Sequence, residues 1–254
     1  MSLIGNAVEH RKFGKGVISD FSNNIVTVSF SKGDKKFVYP DAFSSFLVLK
    51  DEEKQEQVLN TYTDIENRRK EKRRIKRQQE ERRDRLLSIK TTPQSQAVFD
   101  IEPEKLKDIL SSETMFAGYI LSGKSKGSPK IPAKLKPNSA CILTYVPEGK
   151  TEKYREIAGI FMVDERFYGS KCKDGNISIH PLYRLSVPCD EHLLYRKYLD
   201  DNKTFRWGKT SFKYLRTDIA ANIINDIEKI YSGKDLGKKA HDFKKYFFAL
   251  NHLK

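Results

Sequence analysis

The first fifty residues alternate apolar and polar positions over short runs that are separated by turn residues. Alternation of this kind predicts half-buried β-strands, and the Gly, Asn and Ser residues between the runs predict tight turns. Apolar runs begin at Val17, Ile25 and Phe37, and Pro40 ends the last of them. We therefore predict four or five short strands in residues 1–50, which suit a small closed barrel.

Residues 51–92 have a different pattern, because they contain neither Gly nor Pro and are rich in Glu, Lys, Arg and Gln. Such composition favours a helix. The sparse apolar residues Ile65, Ile75 and Leu86 are ten and eleven positions apart, which does not sustain a heptad repeat. We predict a long, charged helical linker over 51–92 that is exposed to solvent, with a coiled coil as the alternative.

Residues 93–254 combine both periodicities. Ile219, Ile223 and Ile227 recur at helical spacing, and Gly233 then favours a helix end. We predict strands at 97–101, 115–121, 141–146, 157–163, 177–180, 183–187 and 212–215, and helices at 103–110, 190–199, 217–231 and 236–253. Because the helices cluster late, we expect an α+β fold: a small N-terminal β-barrel (1–50), the helical linker (51–92) and a mixed, barrel-like domain with C-terminal helices (93–254).

The net charge of the chain indicates which class of partner it binds. Lys and Arg number 48 against 34 Asp and Glu, giving a net charge of +14. A surplus of this size favours polyanions, and nucleic acid is the partner we predict. No apolar run approaches the roughly 20 residues that cross a bilayer, so we predict no membrane partner. Three Cys without tight pairing, and no signal-peptide pattern in residues 1–10, predict a reducing, cytoplasmic location.

Residues 8–18 read Val-Glu-His-Arg-Lys-Phe-Gly-Lys-Gly-Val-Ile. This pattern, followed by the alternating run at 25–30, resembles the SH3/Tudor-like or KOW-like small barrel of UvrD-type DNA helicases and, less closely, the RNA-polymerase-binding barrel of CarD-type regulators. The resemblance implies docking to a partner, with transcription machinery as the leading candidate, but no helicase activity. The partner-binding residues would be His10, Arg11, Lys12, Phe13 and Lys15. Alternatively, Phe13 and the glycines serve only the turn and the core.

The predicted helix carries a basic run at 68–77, with eight basic residues and one acidic residue. Such a run can neutralise phosphates and release their counterions. The predicted nucleic-acid contacts on it are Arg68, Arg69, Lys70, Arg73, Arg74 and Arg77. The alternative is an ordinary solvated helix, because thirteen basic residues over 51–90 are offset by ten acidic ones.

Residues 118–125 match the spelling of a phosphate-binding loop, G-x4-G-K-S. That motif requires a helix directly after it, and Pro129 and Pro132 are hard to reconcile with one. We expect instead a strand that ends in a basic loop over 123–130, where Lys124 and Lys126 contact phosphate. No catalytic signature is convincing, so we predict neither enzyme activity nor a cofactor.

Cys172, His180, Cys189 and His192 fall within about twenty residues and include one C-x2-H pair. A zinc site is conceivable, but the spacing is not that of a standard zinc knuckle. We therefore predict no metal, and interpret the four as core cysteines and edge histidines.

Residues 195–214 interleave aromatic and basic side chains, the combination that stacks bases and binds phosphates. We predict Arg206, Trp207 and Lys209, in an exposed turn, as the selective nucleic-acid contact; the alternative places the Trp207 ring in the core. The strand-rich layout around Gly159 is weakly similar to PUA-like barrels, the group that includes EVE and YTH readers of modified bases.

These observations together predict a non-catalytic protein that binds DNA or RNA through the basic helix and a basic, aromatic surface of the C-terminal domain. The alternative is an interaction adaptor that docks on RNA polymerase or another DNA-processing protein through the N-terminal barrel.

Overall fold

A computed structural model describes residues 2–199 and 207–254. The chain forms two compact units, Met1–Glu81 and Arg82–Lys254, called unit 1 and unit 2 below. The boundary lies inside one long helix. This division differs from the predicted boundaries at 50 and 92, because the two ends of that helix contribute to different cores.

Unit 1 contains a five-stranded antiparallel sheet. Its strands are β1 (Ala7–His10), β2 (Gly14–Ser22), β3 (Ile25–Phe30), β4 (Gly33–Val38) and β5 (Leu47–Leu49). The order is β4-β3-β2-β1-β5, so the first four strands form a meander and the fifth returns to β1. Among the described residues, no hydrogen-bonded pairing joins the edges β4 and β5, so the expected barrel is not closed by backbone bonds. A 3-10 turn, Asp41–Ser44, lies in the connection between them.

Helix α1 (Glu52–Leu87) confirms the predicted long helix. Near its start, Val58 is buried in the core of unit 1 together with inward-facing strand residues such as Val8 and Val26. The Gln55 side chain accepts a hydrogen bond from the backbone N–H of Leu49, at 2.9 Å. The beginning of α1 is therefore part of unit 1.

Unit 2 has a mixed six-stranded sheet with helices. Its further elements are β6 (Gln96–Asp100), α2 (Leu106–Ser111), β7 (Thr114–Phe116), β8 (Ala140–Tyr145), β9 (Glu156–Val163), β10 (Asn176–Ser186), β11 (Phe212–Leu215), α3 (Thr217–Ile230) and α4 (Gly237–Leu250). The order is β11-β6-β8-β9-β10-β7, and β6 and β8 are its parallel pair. Two sheets and a long helix confirm the α+β class.

Apolar side chains pack on both faces of the second sheet. One cluster joins Ile142 and Ile160 to α3 and α4, and it includes Leu86 near the end of α1 and Ile89 just after that helix. The other contains Phe99, Leu143 and Phe161 and extends toward α2. The last turn of α1 thus belongs to the core of unit 2. No helix in the described part of the chain is long and apolar enough to cross a bilayer.

Four predicted elements of unit 2 are wrong or differ. The strand predicted at 115–121 ends at Phe116, and Gly118 has a φ of 93° that turns the chain. The helix predicted at 190–199 consists of two 3-10 turns, Cys189–Glu191 and Tyr195–Tyr198, because His192 takes a left-handed backbone conformation between them. The strands predicted at 177–180 and 183–187 form one strand, β10, with a register shift.

Candidate nucleic-acid interface

Residues 117–130, called the basic loop below, connect β7 to the segment before β8. A backbone bridge between Tyr119 and Pro129 closes its base. The Ile120 N–H donates to the Ser128 carbonyl, and the Gly127 N–H donates to the Ile120 carbonyl, both at 2.9 Å. No helix follows Lys124 in this described stretch. Residues 118–125 therefore match the phosphate-loop motif in sequence but lack its strand–loop–helix structure. The basic loop expected over 123–130 is confirmed, but it begins earlier than predicted because the strand before it ends at Phe116.

The loop is anchored on the segment that precedes β11. The Ser211 hydroxyl donates to the Ala117 carbonyl. A Cβ on Gly118 would lie 2.5 Å from the Ser211 Oγ atom, so this close approach needs glycine as well as its positive φ. Lys209 lies two residues before Ser211, so the predicted cations of the loop and of the 207–209 segment lie in one region.

Lys130 contributes to the same anchor. Its ammonium donates to the Phe212 carbonyl at 3.0 Å and to the Thr210 hydroxyl, and it lies 4.1 Å from the centroid of the Phe212 ring. Burial lowers the pKa of this lysine. Lys130 therefore fixes the base of the loop, whereas Lys124 and Lys126 extend into solvent.

Two exposed aromatic rings stand at the start of the loop. Phe116 is 38% exposed and Tyr119 is 55% exposed, and their ring centroids lie 4.8 Å apart in an edge-to-face arrangement. Gly175, on the turn before β10, lies beneath Phe116. The sequence analysis missed both rings. The available signal was two aromatic residues three positions apart around a glycine, directly before a lysine-containing Gly/Ser loop.

The charged residues of the loop and of its flanking sequence are all lysines. Residues 114–147 contain five lysines and no Asp or Glu. In the part of the chain that the structure describes, no ion pair involves Lys124, Lys126 or Lys209. Cations without local carboxylate partners are available to an external anion.

Trp207 does not occupy the exposed turn that the sequence predicted. The side chain is 4% exposed, its Nε1 donates to the Thr210 carbonyl at 2.6 Å, and its ring lies on the Arg155 guanidinium. The predicted exposure of this ring is therefore wrong, and the alternative, a Trp207 ring in the core, is confirmed. Arg206, predicted beside it, lies outside the described residues.

Arg155 was not identified from the sequence, although it is one of the most buried side chains in unit 2. Its guanidinium donates to Glu152 at 2.8 and 2.9 Å, to Asp100 at 2.6 Å and to the Thr144 hydroxyl at 3.0 Å. Four donated bonds and the Trp207 ring satisfy the buried cation, so its role is structural.

On helix α1, the predicted phosphate-binding cations differ in their partners. Arg69 pairs with Asp41 and Glu66, at 2.6 and 3.1 Å. The other ion pairs of the run among the described residues are Arg73 with Glu66, Arg74 with Glu71, Lys76 with Glu80 and Arg77 with Glu81. Within the described residues, Arg68 and Lys70 have no carboxylate partner. The helix is therefore a weaker anion site than its count of cations suggests.

The predicted partner-binding residues of unit 1 collect at one end of its sheet. The registers pair His10 with Gly14 and Phe30 with Gly33, so the β1–β2 and β3–β4 turns lie at the same end. Arg11, Lys12 and Lys15 are exposed there.

His10 was predicted as a partner contact, but this prediction is wrong because its side chain is buried. Its ring packs against Phe13, Phe37 and Phe46, with centroids 4.6, 5.3 and 5.6 Å away. Its Nδ1 accepts from the Lys12 backbone N–H at 3.0 Å, so the imidazole holds the turn and is not presented to a partner.

The conceivable zinc ligands do not come together. Among the described residues, no three Cys, His, Asp or Glu side chains form a metal-binding group. His180 is buried with its Nε2 3.6 Å from Glu165, and the Nδ1 of His192 lies 2.9 Å from Glu156. Cys172 contacts Asp174, and Cys189 is exposed. These four described residues are close in sequence, but the fold does not bring them together as metal ligands.

Comparison with known proteins does not assign a family. No family model matches the chain, and no curated protein matches it. One similar solved structure is that of a mutant ZmASCH protein from Zymomonas mobilis, at 10% sequence identity. The similarity covers 53% of this chain and 98% of that chain with a TM-score of 0.29, and at this value it carries no argument about fold or function.

Proposed function

We propose that this protein binds nucleic acid without catalysing a reaction, and that the basic loop of unit 2 is its principal contact. Lys124 and Lys126 would neutralise phosphates, with Lys209 beside the base of the loop. The observation that carries the proposal is the combination of exposed cations, which lack carboxylate partners among the described residues, with the exposed rings of Phe116 and Tyr119. Phosphate neutralisation supplies affinity, and ring stacking adds contact with bases.

The basic face of α1 is proposed as a secondary contact. Arg68 and Lys70 would supply most of it, because the neighbouring arginines are engaged with carboxylates. Exposed ion pairs are weak, so a phosphate can compete for those arginines too. The protein should therefore bind DNA or RNA with an affinity that falls steeply as salt rises.

The finer fold assignments are part of this proposal. The strand order of unit 1, with a 3-10 turn before the returning strand β5, supports an SH3/Tudor-like barrel. A mixed sheet with one parallel pair and α3 and α4 packed on one face supports a PUA-like arrangement in unit 2.

The test is a salt titration of binding to labelled single- and double-stranded DNA and RNA. The double variant Lys124→Ala, Lys126→Ala should weaken binding and reduce the slope of log affinity against log salt by roughly 0.7–0.9 per lost phosphate contact. The matched control is Lys238→Ala, Lys239→Ala, which removes the same charge from exposed positions at the start of α4. Equal affinities and slopes for the two double variants would reject the loop as the binding site.

A second candidate function is docking on RNA polymerase or another DNA-processing protein. The observation that favours it is the cluster of Arg11, Lys12 and Lys15 at one end of unit 1, beside a groove lined by Phe43, Phe46 and other residues. Binding of purified RNA polymerase after nuclease treatment, lost in the variant Arg11→Ala, Lys12→Ala, would support it. Binding that disappears with the nuclease would assign the association to nucleic acid.

A further inference from the structure

We infer that the basic loop is selective for single-stranded nucleic acid, because an unpaired base stacks on Tyr119 while Lys124 and Lys126 hold the adjoining phosphates. This inference rests on the proposed function and adds the class of ligand. It assigns the base-stacking role to a ring that lies about ninety residues before Trp207 in the chain.

The first support is the solvent exposure of the rings. Tyr119 and Leu121 are each more than half exposed, and Phe116 is exposed beside them. Three large, exposed apolar side chains within six residues are unusual next to a loop that consists mainly of lysine, serine and glycine. Exposed apolar side chains that contact each other, as Phe116 and Tyr119 do, indicate a binding site when polar residues surround them. The two rings meet edge to face, so they do not cover each other as a face-to-face stack would, and Tyr119 keeps 55% of its surface exposed.

The second support is the fixed position of the Tyr119 backbone. The Lys130 N–H donates to the Gly118 carbonyl at 2.8 Å, and the bridge to Pro129 holds Tyr119 itself. Ser211 and Gly175 pack beneath this part of the loop, against Gly118 and Phe116 respectively. A ring on an ordered backbone loses little conformational entropy when it binds, which makes stacking on it favourable.

The third support is charge complementarity, which identifies the occupant. An apolar patch alone would suit many partners, but this one adjoins Lys124 and Lys126 in a stretch of 34 residues without a single carboxylate. A single strand offers both a polyanionic backbone and exposed base faces. A duplex hides its base faces, so it can use the lysines but not the ring.

The experiment measures binding of the full chain to fluorescein-labelled oligo(dT), oligo(rU) and a duplex of equal length. About 20 nucleotides suffices, because small single-strand-binding domains cover roughly 4–16. Tyr119→Leu keeps apolar bulk but removes the ring, whereas Tyr119→Phe keeps the ring. We expect Tyr119→Leu to weaken single-strand binding roughly 5- to 100-fold with duplex binding unchanged, and Tyr119→Phe to bind like the parent.

A spectroscopic variant gives an independent readout. Tyr119→Trp adds an exposed indole to a chain whose one natural Trp, Trp207, is buried. Its fluorescence should be quenched by the single strands and not by the duplex. The DNA and RNA arms show whether the sugar matters, and competition by poly-glutamate tests an acidic protein as the occupant.

The outcomes separate this inference from the proposed function. If the lysine variant loses binding to all probes while Tyr119→Leu binds single strands like the parent, the stacking inference is overturned and the nucleic-acid proposal stands. Equal losses of single-strand and duplex binding in Tyr119→Leu would overturn strand selectivity. If poly-glutamate displaces the probes as effectively as unlabelled oligonucleotide, both proposals fail.

Discussion

The indole ring of Trp207 lies on the guanidinium of Arg155, with the guanidinium carbon 4.1 Å from the centroid of the ring. The cation is also held by two carboxylates and a threonine hydroxyl, and the indole N–H by a backbone carbonyl. The ring covers the guanidinium, whose side chain is 2% exposed, whereas the carboxylates of Asp100 and Glu152 remain about 40% exposed. The contact joins the segment before β11 to the start of β9, which are distant in sequence.

Trp207→Ala should therefore act on stability and not on ligand binding. Removing a buried Trp typically costs about 3–5 kcal/mol, and here the loss also exposes Arg155 to water. Urea unfolding followed by far-ultraviolet circular dichroism measures this cost without needing the lost fluorophore. At low urea, the folded variant should bind oligonucleotides like the parent. A variant with parental stability but weaker oligonucleotide binding would show that the indole contacts nucleic acid.

Leu86 and Leu87 are neighbours near the end of α1 with opposite environments. Leu86 is 6% exposed in the core of unit 2, whereas Leu87 is 36% exposed. Leu86→Ala should lower the free energy of unfolding of unit 2 by about 2–5 kcal/mol, and Leu87→Ala by about 1 kcal/mol or less. Chemical denaturation of the two variants measures the difference. Equal small effects would place the end of α1 outside unit 2, as the sequence predicted.

Asp226 on α3 gives a prediction about pH. Burial raises its pKa, but hydrogen bonds from Lys197, Lys229 and Tyr198 outweigh this and lower the pKa from 3.8 to about 2. A carboxyl whose pKa is lower in the folded state than in the unfolded state stabilises the fold fully above pH 3.8. That contribution is lost as pH falls from 3.8 toward 2.

Asp226→Asn should consequently reduce stability at neutral pH, and its difference from the parent should disappear near pH 2. Urea midpoints measured across this range provide the test, with Asp235→Asn as a control that removes another carboxylate from unit 2. A stability difference that persists unchanged at the acid end would mean that the ionised form of Asp226 does not hold the 3-10 turn Tyr195–Tyr198 on α3.

The cations of α1 allow a matched comparison. Arg68→Gln with Lys70→Gln removes charges that have no carboxylate partner in the described part of the chain, whereas Arg74→Gln with Arg77→Gln removes charges that Glu71 and Glu81 already offset. If α1 contacts phosphate, the first pair should reduce the salt dependence of binding by roughly 1.4–1.8 in the log–log slope, and the second pair by less. Identical slopes in both variants and the parent would show that α1 does not contact the phosphates.

Local patterns predicted many of the elements, because the conformation of a helix or strand depends largely on residues that are neighbours in the chain. The isoleucines at 219, 223 and 227 indicated α3, and the helix Thr217–Ile230 places them as expected. The charged stretch after residue 51 predicted α1 for the same reason. The helix predicted at 190–199 failed because a backbone pairing between Leu194 and Glu156, a long-range contact, competes with local helix propensity.

The candidate site was predictable only in part. Lys124 and Lys126 lie in an exposed loop, as a Gly/Ser-rich stretch before two prolines suggested. The environments of Trp207 and Tyr119 were not predictable, since both are aromatic residues next to a glycine and near lysines. The first packs on Arg155, which lies some fifty residues away in sequence, and the second faces solvent because its backbone is held in a loop bridge.

The sequence by itself determined the α+β class, the positive charge and the positions of most helices and strands, because periodicity and composition act over a few residues. Only the tertiary structure decided that the end of α1 belongs to unit 2, that His10 and Trp207 are buried, and that Phe116 and Tyr119 are exposed at the start of the basic loop. The physical reason is that burial and charge pairing depend on which distant segments meet, and no local pattern specifies those contacts.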